Sequence, residues 1–136
     1  MEKKFKYARS FRDLEVYKQS RELSGKIFQL TKNFPKEEKY SLTDQIRRSS
    51  RSVGAQIAES WGKRRYENHF VLKLTDVDAE QYETQHWIEV AHECSYIDKE
   101  IFDELLNQCE SIGRMINSMI EKASLFCQNQ TANKQD

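Results

Sequence analysis

The residues of this sequence best placed to do chemistry are cationic, and they crowd into one stretch. On a helix of 3.6 residues per turn, Arg47, Arg48 and Arg51 fall within about 100° of one another. Lys63, Arg64 and Arg65 carry the charge past that helix's end, and Lys3, Lys4, Lys6, Arg9 and Arg12 can add to it. Guanidinium forks suit phosphate or carboxylate oxygens, so Arg47, Arg48, Arg51, Lys63, Arg64 and Arg65 are candidate nucleic-acid-binding residues. Contacts of that kind give affinity that depends on salt and little on base sequence. The competing use is ion pairing, with Arg47 or Arg48 facing acids on a neighbouring helix or subunit. Tyr7, Tyr40, Tyr66 and Trp61 lie near these cations and are suited either to stacking on bases or to packing in a core or interface. No zinc-finger spacing, RNP aromatic signature or glycine-rich phosphate loop accompanies them.

Other candidate chemistry is weaker. Glu83 with His86, and Glu89 with His92, are two Glu-x-x-His pairs, the unit from which di-iron carboxylate bundles are built. Both fall on one helix and point to different faces, and no second helix supplies a match. His69 has no partner at ligand spacing. Cys94, Cys109 and Cys127 are unclustered, which reads as reduced thiols of a cytoplasmic protein rather than a disulfide framework. The expectation is no catalytic residue, no metal, no cofactor and no enzyme activity.

The balance of charge separates sharply along the chain, although the 136 residues sum to zero. Residues 41–65 hold six basic side chains against Asp44 and Glu59, a net +4. Residues 76–110 hold eleven acids against Lys99 alone, a net −10. Local field decides binding, so a neutral average does not exclude an anionic partner. The same segregation also fits acidic and basic helices that neutralise each other as neighbours. No apolar run nears the roughly 18 residues of a membrane span, and MEKKFKYARSF has no signal-peptide stretch, so no membrane role is expected.

One proline and four glycines among abundant Glu, Lys, Gln, Arg and Leu favour long helices. Four are expected. The first, about 12–32, carries Val16, Ser20, Leu23, Ile27 and Leu30 at alternating spacings of four and three, and Phe34-Pro35 stops it. The second, about 41–63, starts at Ser41 as N-cap, with Asp44 in a capping-box position. Leu42, Ile46, Ser49, Val53 and Ile57 line its inner seam, and Gly54 marks a close helix contact. The third spans about 69–95, with Phe70, Leu74, Val77, Trp87, Ile88 and Ala91 as its apolar positions. The fourth, about 99–128, keeps Phe102, Leu105, Cys109, Ile112, Ile116, Met119, Ala123 and Phe126 in strict register. Residues 1–128 thus form a single all-α domain, an antiparallel up-down-up-down four-helix bundle, and 129–136 a disordered tail. On the fourth helix Leu106, Gly113 and Ile120 make a second stripe seven residues apart. Either the core face is broad, or these residues and Trp61 are an oligomer interface.

The pattern resembles a bacterial four-helix family first noted in proteins encoded within intervening sequences of large-subunit ribosomal RNA genes, which includes the accessory variability protein of retroelements. The resemblance is carried by Phe11-Arg12-Asp13-Leu14 with Val16-Tyr17, by Phe34-Pro35 with Glu37-Glu38 and Tyr40, and by Leu42 through Arg48. It continues through Ser52-Val53, Ile57-Ala58-Glu59, Glu83-Thr84, Trp87 and Tyr96-Ile97. Gln56 and Ser60 depart from it, replacing a small amide and a glycine of many relatives. The resemblance implies a homopentamer and, in the retroelement branch, a basic surface that binds nucleic acid and a reverse transcriptase. The expected function is therefore a non-enzymatic, cytoplasmic, oligomeric accessory protein that binds RNA or DNA through helix two, possible partners being a reverse transcriptase or another enzyme. The alternative is an oligomeric protein-interaction scaffold without nucleic acid.

Overall fold

The computed structural model describes residues 8–127. The described chain is all helical: α1 (Glu15–Thr31), α2 (Leu42–Gly62), α3 (Glu67–Glu93), α4 (Lys99–Glu121) and a short α5 (Ala123–Phe126), with 3-10 turns at Phe11–Asp13 and Lys36–Glu38. The basic residues Lys3, Lys4 and Lys6, together with Tyr7 and the expected tail 129–136, lie outside the described residues.

Each long helix buries a stripe at spacings of three and four, as a face turned to one core must. In α1 the buried row is Val16, Ser20, Leu23, Ile27 and Thr31. In α4 it is Leu105, Cys109, Ile112, Ile116 and Met119, and Ala123 and Phe126 prolong it across a break at Lys122. The row in α3 is Phe70, Leu74, Val77, Gln81, Thr84, Ile88 and Ala91. Two polar residues thus occupy seam positions there, and Trp87, expected on the seam, is only half-buried. Thr84 Oγ1 lies 3.0 Å from Ser49 Oγ on α2 and 2.9 Å from Glu80 O, so the polar step in the core is satisfied.

Consecutive helices pack on one another, and α1 closes against α4. Over successive turns of two of these pairs, partner numbers fall on one helix as they rise on the other. Arg48, Ser49, Gln56 and Glu59 of α2 meet Glu83, Thr84, Glu80 and Lys73 of α3. Gln19 and Lys26 of α1 meet Ser111 and Glu104 of α4. The close approach expected at Gly54 is real: a Cβ there would lie 3.0 Å from Ser20 Oγ of α1.

Two helix starts differ from expectation. Ser10 accepts from the Arg12 N–H at 3.0 Å, and the Asp13 carboxylate accepts from the N–H groups of Arg9 and Ser10. That box closes a 3-10 turn, extended Leu14 interrupts it, and α1 begins at Glu15 rather than Arg12. At α2, Ser41 is the N-cap, but its side chain caps nothing. Its N–H is taken by Glu38 O, and its hydroxyl donates to Glu38 Oε1 at 2.7 Å. Asp44 therefore has no box to complete, and Glu38, from outside the helix, accepts the Leu42 N–H instead. At the end of α3, Ser95 adopts φ 63°, with Ser95 N–H on His92 O and Tyr96 N–H on Ala91 O, a Schellman stop made without glycine.

Candidate nucleic-acid interface

The cations of α2 do not share one strip. A rotation of 100° between Arg47 and Arg48 turns them toward different neighbours. Arg47 is half-buried against α1, where its Nε donates to Thr31 Oγ1 at 2.7 Å and its Cζ lies 4.8 Å from the Phe28 ring centroid. Arg51, one turn on and exposed, puts its Cζ 5.3 Å from the same ring. Lys32 at the end of α1 brings its Nζ to 4.9 Å. Each such contact is worth roughly 0.5–1 kcal/mol at an exposed site.

Arg48 faces α3. Its Nη2 donates to Gln45 Oε1 at 2.9 Å and reaches Glu83 Oε2 at 3.3 Å, while Trp87 Nε1 donates to that same carboxylate oxygen at 3.0 Å. Among the described residues the ion pair expected within the chain is made by Arg48, while Arg47 turns away from Glu83 toward α1.

Beyond the end of α2, Arg64 folds back over Trp61, its Cζ 3.6 Å from the ring and its Nε donating to Trp61 O at 2.9 Å. Burial pulls the Arg64 guanidinium below its ordinary pKa. Lys63 and Arg65 are exposed, and Arg65 Cζ lies 5.9 Å from the Tyr66 ring. Tyr40 is 85% exposed, whereas Trp61 is half-buried and already carries a cation. Arg9 is exposed beside the first turn, and Arg12 sits 4.5 Å from the Phe11 ring.

The histidine pairs of α3 are engaged separately. Glu83 is held by Arg48 and Trp87, His86 lies edge-on to Trp87, and His92 stacks on Phe102 with centroids 4.3 Å apart. Among the described residues no group of three or more His, Cys, Asp or Glu is placed to hold a metal ion. The cysteines are free; Cys94 is exposed, and burial pushes the Cys109 thiol up to about 12. No helix of the described residues is long and apolar enough to cross a membrane.

The stripe of α4 is only partly outward. Leu106, Ile120 and Trp61 are half-buried and packed on the core. Gly113 is fully covered, for a Cβ there would lie 2.9 Å from Gln81 Nε2 of α3. Its small size serves a close approach inside the protomer.

Phe28, Thr31 and Lys32 are the site residues that sequence reasoning missed. Phe28 and Lys32 are one turn apart near the end of α1, and the short link to α2 brings that end beside Arg47. That proximity was the available signal.

A family model described as 23S rRNA-intervening sequence protein matches residues 12–118. Among solved structures, a protein with unknown function from the S23 ribosomal protein family of Bacteroides thetaiotaomicron is similar at 30% identity and a TM-score of 0.69. The match covers 77% of this chain and 97% of that one. No curated protein matches the chain.

Proposed function

Because the chain belongs to the 23S rRNA-intervening sequence protein family, we propose that it is a non-enzymatic cytoplasmic protein that binds RNA or DNA as an accessory to another enzyme. The protomer is an up-down-up-down four-helix bundle, as the reversed partner order of α1 with α4 and α2 with α3 supports. Five protomers assemble into a ring that repeats the basic surface, and a reverse transcriptase is one enzyme such a ring could serve. The carrying observation is electrostatic. Lys32, Arg47 and Arg51 lie together against aromatic and hydroxyl groups, with no carboxylate paired to any of them among the described residues. Cations kept without an acid partner are available to an anionic ligand.

Electrophoretic mobility shift of wild type against the Arg47/Arg48/Arg51→Glu protein tests this reading. Wild type is expected to retard RNA or DNA at low salt and the variant not to; equal, salt-insensitive behaviour of both sinks it. A second reading, an interaction scaffold, draws on the exposed face of α3. Leu72 and Tyr82, 65% and 61% exposed, extend with Thr75 and Ala79 along one outward stripe. Protein co-purification without nuclease-sensitive material favours that reading.

A further inference from the structure

Phe28 gathers cations from two helices around one ring. Lys32 Nζ, Arg47 Cζ and Arg51 Cζ lie 4.9, 4.8 and 5.3 Å from its centroid. Lys32 and Arg51 are exposed, and neither side chain has a hydrogen bond or ion pair among the described residues. Arg47 is fixed through Nε by Thr31 Oγ1, so its two Nη groups are the ends left to meet a ligand. Thr31 is itself buried, with its hydroxyl 2.8 Å from Ile27 O. The anchor is therefore rigid, and Arg47 is aimed before any ligand arrives.

Three like charges held near one ring repel one another. The negative face of the phenyl group offsets part of that repulsion, and an anion placed among the cations would offset the rest. With cationic ends over it, the ring has little open face for stacking a nucleobase. The shared chemistry of this place is phosphate oxygen, not base edge or base face.

We propose that Lys32, Arg47 and Arg51, organised by Phe28 and Thr31, form a phosphate seat that takes a phosphodiester of a nucleic-acid backbone. The seat rests on the nucleic-acid reading and makes it more specific: it brings in Lys32 from α1, leaves out Arg48, and excludes base recognition at this position.

The test is fluorescence anisotropy of the full chain with a labelled 20-nucleotide single strand, an abasic strand of equal length, and inorganic polyphosphate as competitor, at salt from 50 to 200 mM. The two strands are expected to bind within about threefold of each other, since phosphates dominate. Lys32→Gln and Arg51→Gln are each expected to reduce the slope of log affinity against log salt by about 0.7, one lost single-strand phosphate contact apiece. Phe28→Leu removes the ring but no charge, so it weakens binding while the slope stays. Lys99→Gln, a cation paired with Asp103 at the start of α4, leaves both quantities unchanged. Circular dichroism melts establish that each variant is folded.

Strand binding that Lys32→Gln and Arg51→Gln leave intact overturns the seat while the nucleic-acid reading stands. Binding of the base-bearing strand but not the abasic one overturns it as well. Binding of polyphosphate alone, lost in the same variants, keeps the seat and removes nucleic acid as its ligand. If none of the three ligands binds, both ideas fall.

Discussion

Glu83 decides how much of the basic stretch is free. Its carboxylate accepts from both Arg48 and Trp87, so it pairs one exposed guanidinium and adds a negative charge beside the rest. Arg48 is 57% and Glu83 35% exposed, so the pair is weak, of the order of 0.2–1 kcal/mol. Replacing Glu83 by Gln keeps an acceptor for both donors and removes the charge. We predict that Glu83→Gln tightens oligonucleotide binding about 1.4–5-fold, the factor that energy converts to, with the gain shrinking as salt is raised. Weaker binding in an anisotropy titration would show that the pair positions Arg48 for the ligand rather than restraining it. From sequence, Arg47 and Arg48 looked equivalent, because helical angle shows direction but not which neighbour lies there. Arg47 and Arg48 are adjacent in the chain, yet one turns to a phenyl ring and the other to a carboxylate.

Among the elements, α4 was the most readable from apolar spacing because its buried row holds no hydrogen-bonding side chain apart from the Cys109 thiol, while α1 was legible from Val16, Leu23 and Ile27 although Ser20 and Thr31 share its seam. α3 was harder: Gln81 and Thr84 occupy seam positions, and polar residues there erase the pattern that periodicity detects. Its stop, expected near Ser95, is made with a left-handed serine and not glycine. A side chain at that φ is strained, so Ser95→Gly is predicted to raise stability by about 0.5–1 kcal/mol in urea titration, with unchanged helix content. A loss would mean that the serine side chain supports the turn. The α1–α2 link makes a pH prediction. Hydrogen bonds from Ser41, Tyr96 and the Leu42 N–H hold Glu38 below its ordinary pKa of 4.5. The lowered folded value means that the unfolded chain takes up the proton first. Its stabilising contribution is present above 4.5 and is lost as pH falls through the lower folded value. Tyr96 shows the reciprocal effect: donation to the Glu38 carboxylate pushes its phenol up to about 12. Between pH 6 and pH 3 the melting temperature of wild type should fall more steeply than that of Glu38→Gln. Parallel curves would remove Glu38 as the link's titrating group.

Over the whole molecule, the helical class and element order were legible because long periodic segments with few breakers leave little choice. Subunit contacts were not, since an apolar residue outside the main seam can serve a broad core or a second copy equally well. Gly113 is the clearest instance. It repeats at seven residues with Leu106 and Ile120, yet the structure uses its smallness to bring α4 against Gln81 of α3. The two roles separate experimentally. Light scattering of the wild type is predicted to give five times the 16.2 kDa chain mass; a single-chain mass at micromolar concentration would remove the ring on which the repeated basic surface depends. Gly113→Ala is predicted to leave that subunit number unchanged while lowering stability by about 1 kcal/mol. Overpacking of roughly 1–3 kcal/mol outweighs the roughly 1 kcal/mol gain in helix propensity. The added methyl must displace a buried amide that is bonded to Asp78 at 3.0 Å and to Gln85 at 2.7 Å, so the shift costs hydrogen bonds as well as space. A variant that melts like wild type but runs as smaller species would instead return Gly113 to the surface between subunits.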